Sequence, residues 1–208
     1  MIFRKTYPAM LALVFLTCGG CAALQAGQAV QAGRSALQRQ EPRVAVANFR
    51  RAAEVDPQYE NPIARSQNVW IYLGRAYYEA GDYAEARNAL QKSLAMTPEN
   101  PIARLYLALA NFRGGSRESG ARDIESGLRE TYDWLNQIAS TPSNGIYWDP
   151  ARAIRNRIQT AVSEPPAVRL DDNEFASIAE WVGRRVDEEP DRARRDEVRD
   201  KYETGRSD

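Results

Sequence analysis

Residues 68–100 read NVWIYLGRAYYEAGDYAEARNALQKSLAMTPEN, and this stretch decides the fold. Bulky Trp70, Leu73, Tyr77 and Leu90 are interspersed with small Gly74 and Ala86, and Pro98 ends the run. The hexapeptide Glu-Asn-Pro-Ile-Ala-Arg stands just before it at 60–65 and recurs at 99–104, an offset of 39 residues. Asn61 and Asn100 suit helix N-caps, and Pro62 and Pro101 suit the first helical position, where a missing N–H costs nothing. This spacing predicts one helix from about Pro62 to Ala80, with Gly81-Asp82 closing the turn into a second.

Trp70, Leu73, Gly74, Tyr77, Ala86, Leu90 and Pro98 stand at the seven defining places of a tetratricopeptide repeat (TPR), and residues 67–100 resemble one unit of that family. The resemblance implies pairs of antiparallel helices that stack, because one unit cannot bury its apolar face alone. It also implies a groove for other proteins. Residues 101–134 keep the pattern more weakly: Leu107, Ala108, Gly120, Ile124 and Gly127 hold packing positions, while Arg104 and Asn111 replace the aromatic residues. Upstream, aligning Pro57 with the helix-ending proline puts Gly33, Ala45, Phe49 and Ala52 in place within a unit at about 26–59. The expected architecture is all-α, a solenoid of about three TPR-type helical hairpins over 21–139 with additional C-terminal helices.

Beyond the repeats, Ala121, Ile124, Leu128, Tyr132, Leu135 and Ile138 recur at steps of three and four, which extends the last repeat helix to about Ala139. Residues 140–145 form a loop by composition. Asp149-Pro150 reads as the cap and first residue of a helix carrying Ile154, Ile158 and Val162 on one stripe. Pro165-Pro166 breaks the chain, and Asp172 caps a further helix with Phe175, Ile178, Trp181 and Val182 on one face. Residues 140–188 are therefore a helical extension. Residues 189–208 are dominated by charge, with Asp191/Arg195 and Glu197/Lys201 at helical ion-pair spacing, and read as a flexible or frayed tail.

The N-terminus reads as an address. Arg4 and Lys5 precede an apolar run, Met10 to Thr17, that is too short to span a membrane. With Cys18-Gly19-Gly20-Cys21 following, residues 1–20 resemble a bacterial lipoprotein signal, which implies a lipidated Cys21 at the mature N-terminus. Cys18 departs from the aliphatic residue that this family prefers three positions before the cysteine. Ordinary secretory cleavage is the alternative, and a Cys-x-x-Cys redox pair would need a βαβ setting that the pattern lacks. Ala22 after Cys21, where an Asp would signal inner-membrane retention, points by the same resemblance to the periplasmic face of the outer membrane.

The 208 residues carry 28 basic and 28 acidic side chains and no histidine. Removing 1–20 takes away only Arg4 and Lys5, and the near-neutral balance gives no support to nucleic-acid binding. The lack of histidine removes Ser-His-Asp and Cys-His nucleophile systems and imidazole-ligated metals, so no catalytic residue, metal or cofactor is expected. Two alternatives stay open: a glycan- or peptidoglycan-acting enzyme using a carboxylate pair, and a small-ligand or lipid-binding helical protein.

In TPR proteins the first helix of each unit lines the concave surface. The resemblance carries the ligand-facing positions onto Asn68, Ile71, Arg75, Tyr78 and Glu79 of the middle unit and onto Ile102, Leu105, Leu109, Phe112 and Arg113 of the last. In the first unit Arg34 and Leu37 correspond. Arg34 and Arg75 share one position in successive units, the basis of a short basic ladder. Ile71 and Leu105 stand where the family's two-carboxylate clamp would need polar residues. The alternative use of these positions is packing, with the groove filled by the chain's own C-terminal helices and Tyr78 and Phe112 internal. Tyr147 and Trp148 are a candidate aromatic contact for a partner or a sugar, or a staple onto the helix that follows. The implied function is a non-catalytic protein–protein interaction scaffold. It is lipid-anchored, faces the periplasm, and assists an envelope assembly or export machine, with other envelope proteins as partners.

Overall fold

The computed structural model describes residues 7–62, 67–141, 145–163 and 171–205, with side chains from residue 22 onward. Arg4, Lys5, the Cys21 side chain and the Pro165-Pro166 break lie outside what is described. Eight α-helices are present among the described residues: α1 (Tyr7–Gln38), α2 (Pro42–Val55), α3 (Val69–Ala80), α4 (Tyr83–Met96), α5 (Pro101–Arg113), α6 (Arg117–Ala139), α7 (Ala153–Ser163) and α8 (Asp172–Thr204). A 3-10 turn covers Gly145–Tyr147. The fold is all-α and built of TPR-type helical hairpins. Two compact units divide between Gly81 and Asp82, inside the turn of the middle repeat.

In the first unit α2 packs against both α1 and α3. The contact of α1 with α2 depends on Gly33, where a Cβ would stand 2.5 Å from the Phe49 ring. That ring in turn stacks on Tyr72 of α3, centroids 5.5 Å apart and planes 13° apart. Ala26, Val30, Ala45 and Ala52 complete the apolar interior. Gly81 ends α3 in the left-handed region, φ 82°, a cap that only glycine adopts at no steric cost.

The predicted start of the helix at Pro62 is corrected. Helix α3 begins at Val69, because the Asn68 carboxamide accepts the Trp70 and Ile71 amides, both at 3.1 Å. Asn61 is no cap. It lies beside an isolated antiparallel bridge between Glu60 and Asn68, where its amide donates to Gln67 O at 2.9 Å and Val69 N donates to Tyr59 O at 3.0 Å. The extra residues of the 39-residue offset are thus a pinched loop, not added helix.

In the second unit α5 packs against α4, α6 and α8, and α7 packs against α6 and α8. Asn100 caps α5 through bonds of 3.0 Å from the Ile102 and Ala103 amides, with Pro101 in the first turn, as the spacing predicts. Close approach of α5 and α6 requires two glycines. A Cβ on Gly120 would meet Phe112 N and Cα at 2.7 Å, and one on Gly127 would meet Leu105 Cα at 3.2 Å. Helix α6 ends at Ala139, where the periodicity puts it.

Three C-terminal expectations change. Pro150 is not helical: α7 starts at Ala153, and the Asp149 carboxylate reaches over to accept the Ile154 and Arg155 amides at 3.0 and 3.1 Å. Asp171, one residue before the expected cap, accepts the Asn173 and Glu174 amides at the start of α8. The charged tail is not a separate flexible segment, because α8 runs through Pro190 to Thr204 with Glu189, Pro190 and Ala193 buried. Proline removes a helical hydrogen bond there, and tertiary contacts of Glu189 and Arg192, described below, hold the helix across it.

Candidate functional site

The ligand-facing positions of the first unit are largely enclosed. Arg34, Asn68, Ile71, Arg75 and Tyr78 are each at most 8 % exposed. Asn68 serves as the α3 cap. The Arg75 Nε donates to Glu79 Oε1 at 2.8 Å, a helical pair one turn apart. The Arg34 Nη1 donates to Gln31 Oε1 at 3.2 Å, and its guanidinium carbon sits 5.9 Å from the Tyr72 ring centroid. Arg34 and Arg75 are therefore interior cations, and the solvent-facing basic ladder is not formed. The physical reason is that both stems run along apolar surface while their heads have local polar partners.

The same unit holds a polar chain that no sequence motif announces. Asn61 Nδ2 donates to Tyr72 Oη at 2.7 Å, and Tyr72 Oη donates to Gln67 Oε1 at 2.5 Å, all three side chains being buried. Tyr59 lies near Arg34; burial pushes its phenol above the ordinary 10.0, Arg34 opposes that, and Asp56 adds to it. Gln67 belongs to no motif that would single it out.

In the second unit Ile102, Leu105, Leu109 and Phe112 are buried. Arg113 points at α8: its Nη2 donates to Glu180 Oε1 at 2.8 Å and its Nε to the same oxygen at 3.2 Å. Arg117 Nη2 donates to Asn173 Oδ1 at 3.1 Å, and the Arg117 and Arg113 guanidiniums lie 5.0 and 5.6 Å from the Phe112 ring centroid. Gly183 of α8 is pressed on Tyr106, where a Cβ would meet the ring at 2.8 Å. The chain's own last helix covers the face of α5 that the resemblance assigns to a ligand. Those five positions are packing and tethering residues in this state.

Tyr147 and Trp148 hold a turn in place. The Tyr147 hydroxyl donates to Asp200 Oδ2 at 2.7 Å, its carbonyl accepts Arg192 Nη2 at 2.9 Å, and Trp148 meets Trp134 of α6 edge-on at 5.7 Å. They join the turn to α6 and α8, not to the start of α7. Next to them is a buried charge network. Glu189 Oε1 accepts the Asp149 amide at 2.7 Å, Glu189 Oε2 accepts Arg192 Nε at 2.8 Å, and Asp149 Oδ2 accepts Arg155 Nε at 3.0 Å. The bond to Glu189 holds the Arg192 guanidinium above its ordinary value. The two interior carboxylates, Asp149 and Glu189, are each neutralised by an arginine, an arrangement that orders the C-terminal helices.

Between α6 and α7 a cleft of about 300 Å³ is lined by Arg129, Tyr132, Asp133, Gln159, Val162 and Ser163. Among the described residues no group of three acidic, cysteine or histidine side chains is placed to hold a metal, and no helix is long and apolar enough to cross a membrane.

Comparison with known proteins locates the repeats. A human relative, tetratricopeptide repeat protein 13, is 28 % identical over 75 residues, which is 36 % of this chain and 9 % of that protein. The chain thus aligns with under a tenth of that relative's length. The tetratricopeptide repeat family model matches residues 73–129, from the middle of α3 into α6, so this chain carries TPR hairpins of the kind that bind other proteins.

Proposed function

We propose that this chain is a non-catalytic interaction scaffold, lipid-anchored through Cys21, that faces the periplasm from the outer membrane and assists an envelope assembly or export machine. The single observation that carries the binding role is the TPR pattern over 73–129 with its hairpins in place. The anchor is supported by Arg4, Lys5, the apolar Met10–Thr17 run and Gly20 before Cys21. Ala26 is the first wholly buried residue after Cys21, so an anchor there leaves the packed helices intact. Envelope proteins are the partners in this reading. Their contacts fall outside the α5 positions that α8 covers, on the exposed outer faces of the hairpins.

The experiment is mass determination of the mature N-terminus together with membrane fractionation of wild type and Cys21→Ala. Wild type is expected to begin at an acylated Cys21 and to sediment with membranes, since each buried acyl CH₂ contributes about 0.8 kcal/mol. The variant is expected to be soluble and folded. Fatty-acid labelling that persists in Cys21→Ala would overturn the assignment.

A further inference from the structure

We propose that the α6–α7 cleft is a binding site for a neutral sugar unit. Its lining comes from two matched sets of residues at steps of three and four: Arg129, Tyr132 and Asp133 on α6, and Gln159, Val162 and Ser163 on α7. Such spacing puts each set on one face of its helix. Arg129 fixes the mouth, because its Nη2 donates both to Glu125 Oε1 at 2.9 Å and, across the gap, to Val162 O at 3.1 Å. The volume of about 300 Å³ is at the small end of ligand sites.

The chemistry of the lining selects the ligand class. Among the described residues, the Tyr132 hydroxyl, Asp133 carboxylate, Gln159 carboxamide and Ser163 hydroxyl make no hydrogen bond, and all four line the cleft. Tyr132, Gln159 and Ser163 both donate and accept, and Asp133 accepts twice over. A ligand that satisfies them presents several groups of both kinds. Charge narrows the choice further. Arg129 and Asp133 stand one turn apart on α6, so an anion meets Asp133 and the negative C-terminal end of α7, while a cation meets Arg129. A neutral ligand avoids both. The Tyr132 ring and Val162 supply apolar surface for a C–H face. Clustered hydroxyls on a compact ring with an apolar face describe a saccharide.

The test is calorimetry and saturation-transfer NMR on the full chain with glucose and cellobiose, against citrate, spermidine and a blocked neutral tripeptide. The sugars are expected to bind with millimolar affinity. Tyr132→Ala and Gln159→Ala are each expected to weaken that binding about tenfold, the scale of one lost hydrogen-bonding or stacking partner, while Arg50→Ala in α2 leaves it unchanged. Gln159 is exposed, so its variant keeps the fold and the test valid if Tyr132→Ala is unstable. Three results would overturn the proposal: no sugar signal at tens of millimolar, sugar binding that survives Gln159→Ala, or tighter binding of the tripeptide or a charged probe.

Discussion

Asp149 grips Arg155 at two points: its carboxylate accepts the guanidinium Nε at 3.0 Å and its own carbonyl accepts Nη2 at 2.8 Å. The side chains are 3 % and 7 % exposed, so the pair is shut away from water. Removing the arginine would leave a buried carboxylate without its cation, at a cost of about 3–5 kcal/mol. Arg155→Ala should lower the denaturant midpoint of the second unit accordingly. A loss below about 1 kcal/mol, the scale of exposed pairs, would mean that the site is open to solvent.

The end of α8 should matter in one half and not the other. Deleting residues 190–208 removes Arg192, buried Ala193 and the Asp200 partner of Tyr147, and leaves Glu189 uncompensated. That truncation should cost several kcal/mol, about 3 or more from the stranded carboxylate. Deleting 201–208 removes only exposed residues among those described, and should leave the melting curve unchanged. Equal behaviour of the two truncations in thermal melts would refute the ordering role given to Arg192.

Gly120→Ala should destabilise more than Gly127→Ala. At Gly120 the new methyl group meets backbone atoms of Phe112 at 2.7 Å, which no side-chain rotation relieves. Overpacking of this kind costs about 1–3 kcal/mol. At Gly127 the nearest atoms stand 3.2 Å away, so a few tenths of an ångström suffice. Chemical denaturation of the two variants gives the order, and a reversal would misplace the α5–α6 contact.

Arg34→Glu with Arg75→Glu should unfold the first unit and not merely weaken association. Both arginines are buried, and the second change sets a new carboxylate one turn from Glu79 on the same helix. Each stranded charge costs about 3 kcal/mol or more. Circular dichroism and a melt report the outcome. A double variant that melts like wild type would return these residues to the surface.

The middle hairpin is legible in the sequence because its signals are local. Gly81 in the left-handed region and Asn100 with Pro101 act through atoms within a few residues. The repeated hexapeptide marks where such reading ends. Asn100 caps a helix, whereas Asn61, in the same Glu-Asn-Pro setting, is drawn into the Glu60–Asn68 bridge and bonds Tyr72. Its fate depends on Gln67 and Tyr72, which lie 6 and 11 residues away. The tail departs from its local pattern for the same reason. Its charges speak for solvent, but Glu189 answers to Asp149, 40 residues earlier. The repeat pattern puts the ligand-facing positions on the right helices. Their occupation in the second unit by α8 follows from the Arg113–Glu180 and Tyr106–Gly183 contacts, which no repeat frame contains.

The claim that this chain works by binding envelope proteins is tested most directly by photocrosslinking the full-length protein in cells. Reactive residues would be placed at exposed Arg50 and Arg122, followed by mass spectrometry of the adducts. The account predicts discrete adducts with one or a few envelope proteins, lost when Cys21→Ala releases the chain from the membrane. Adducts only with itself or with bulk protein, together with glycan turnover by the purified chain, would contradict it.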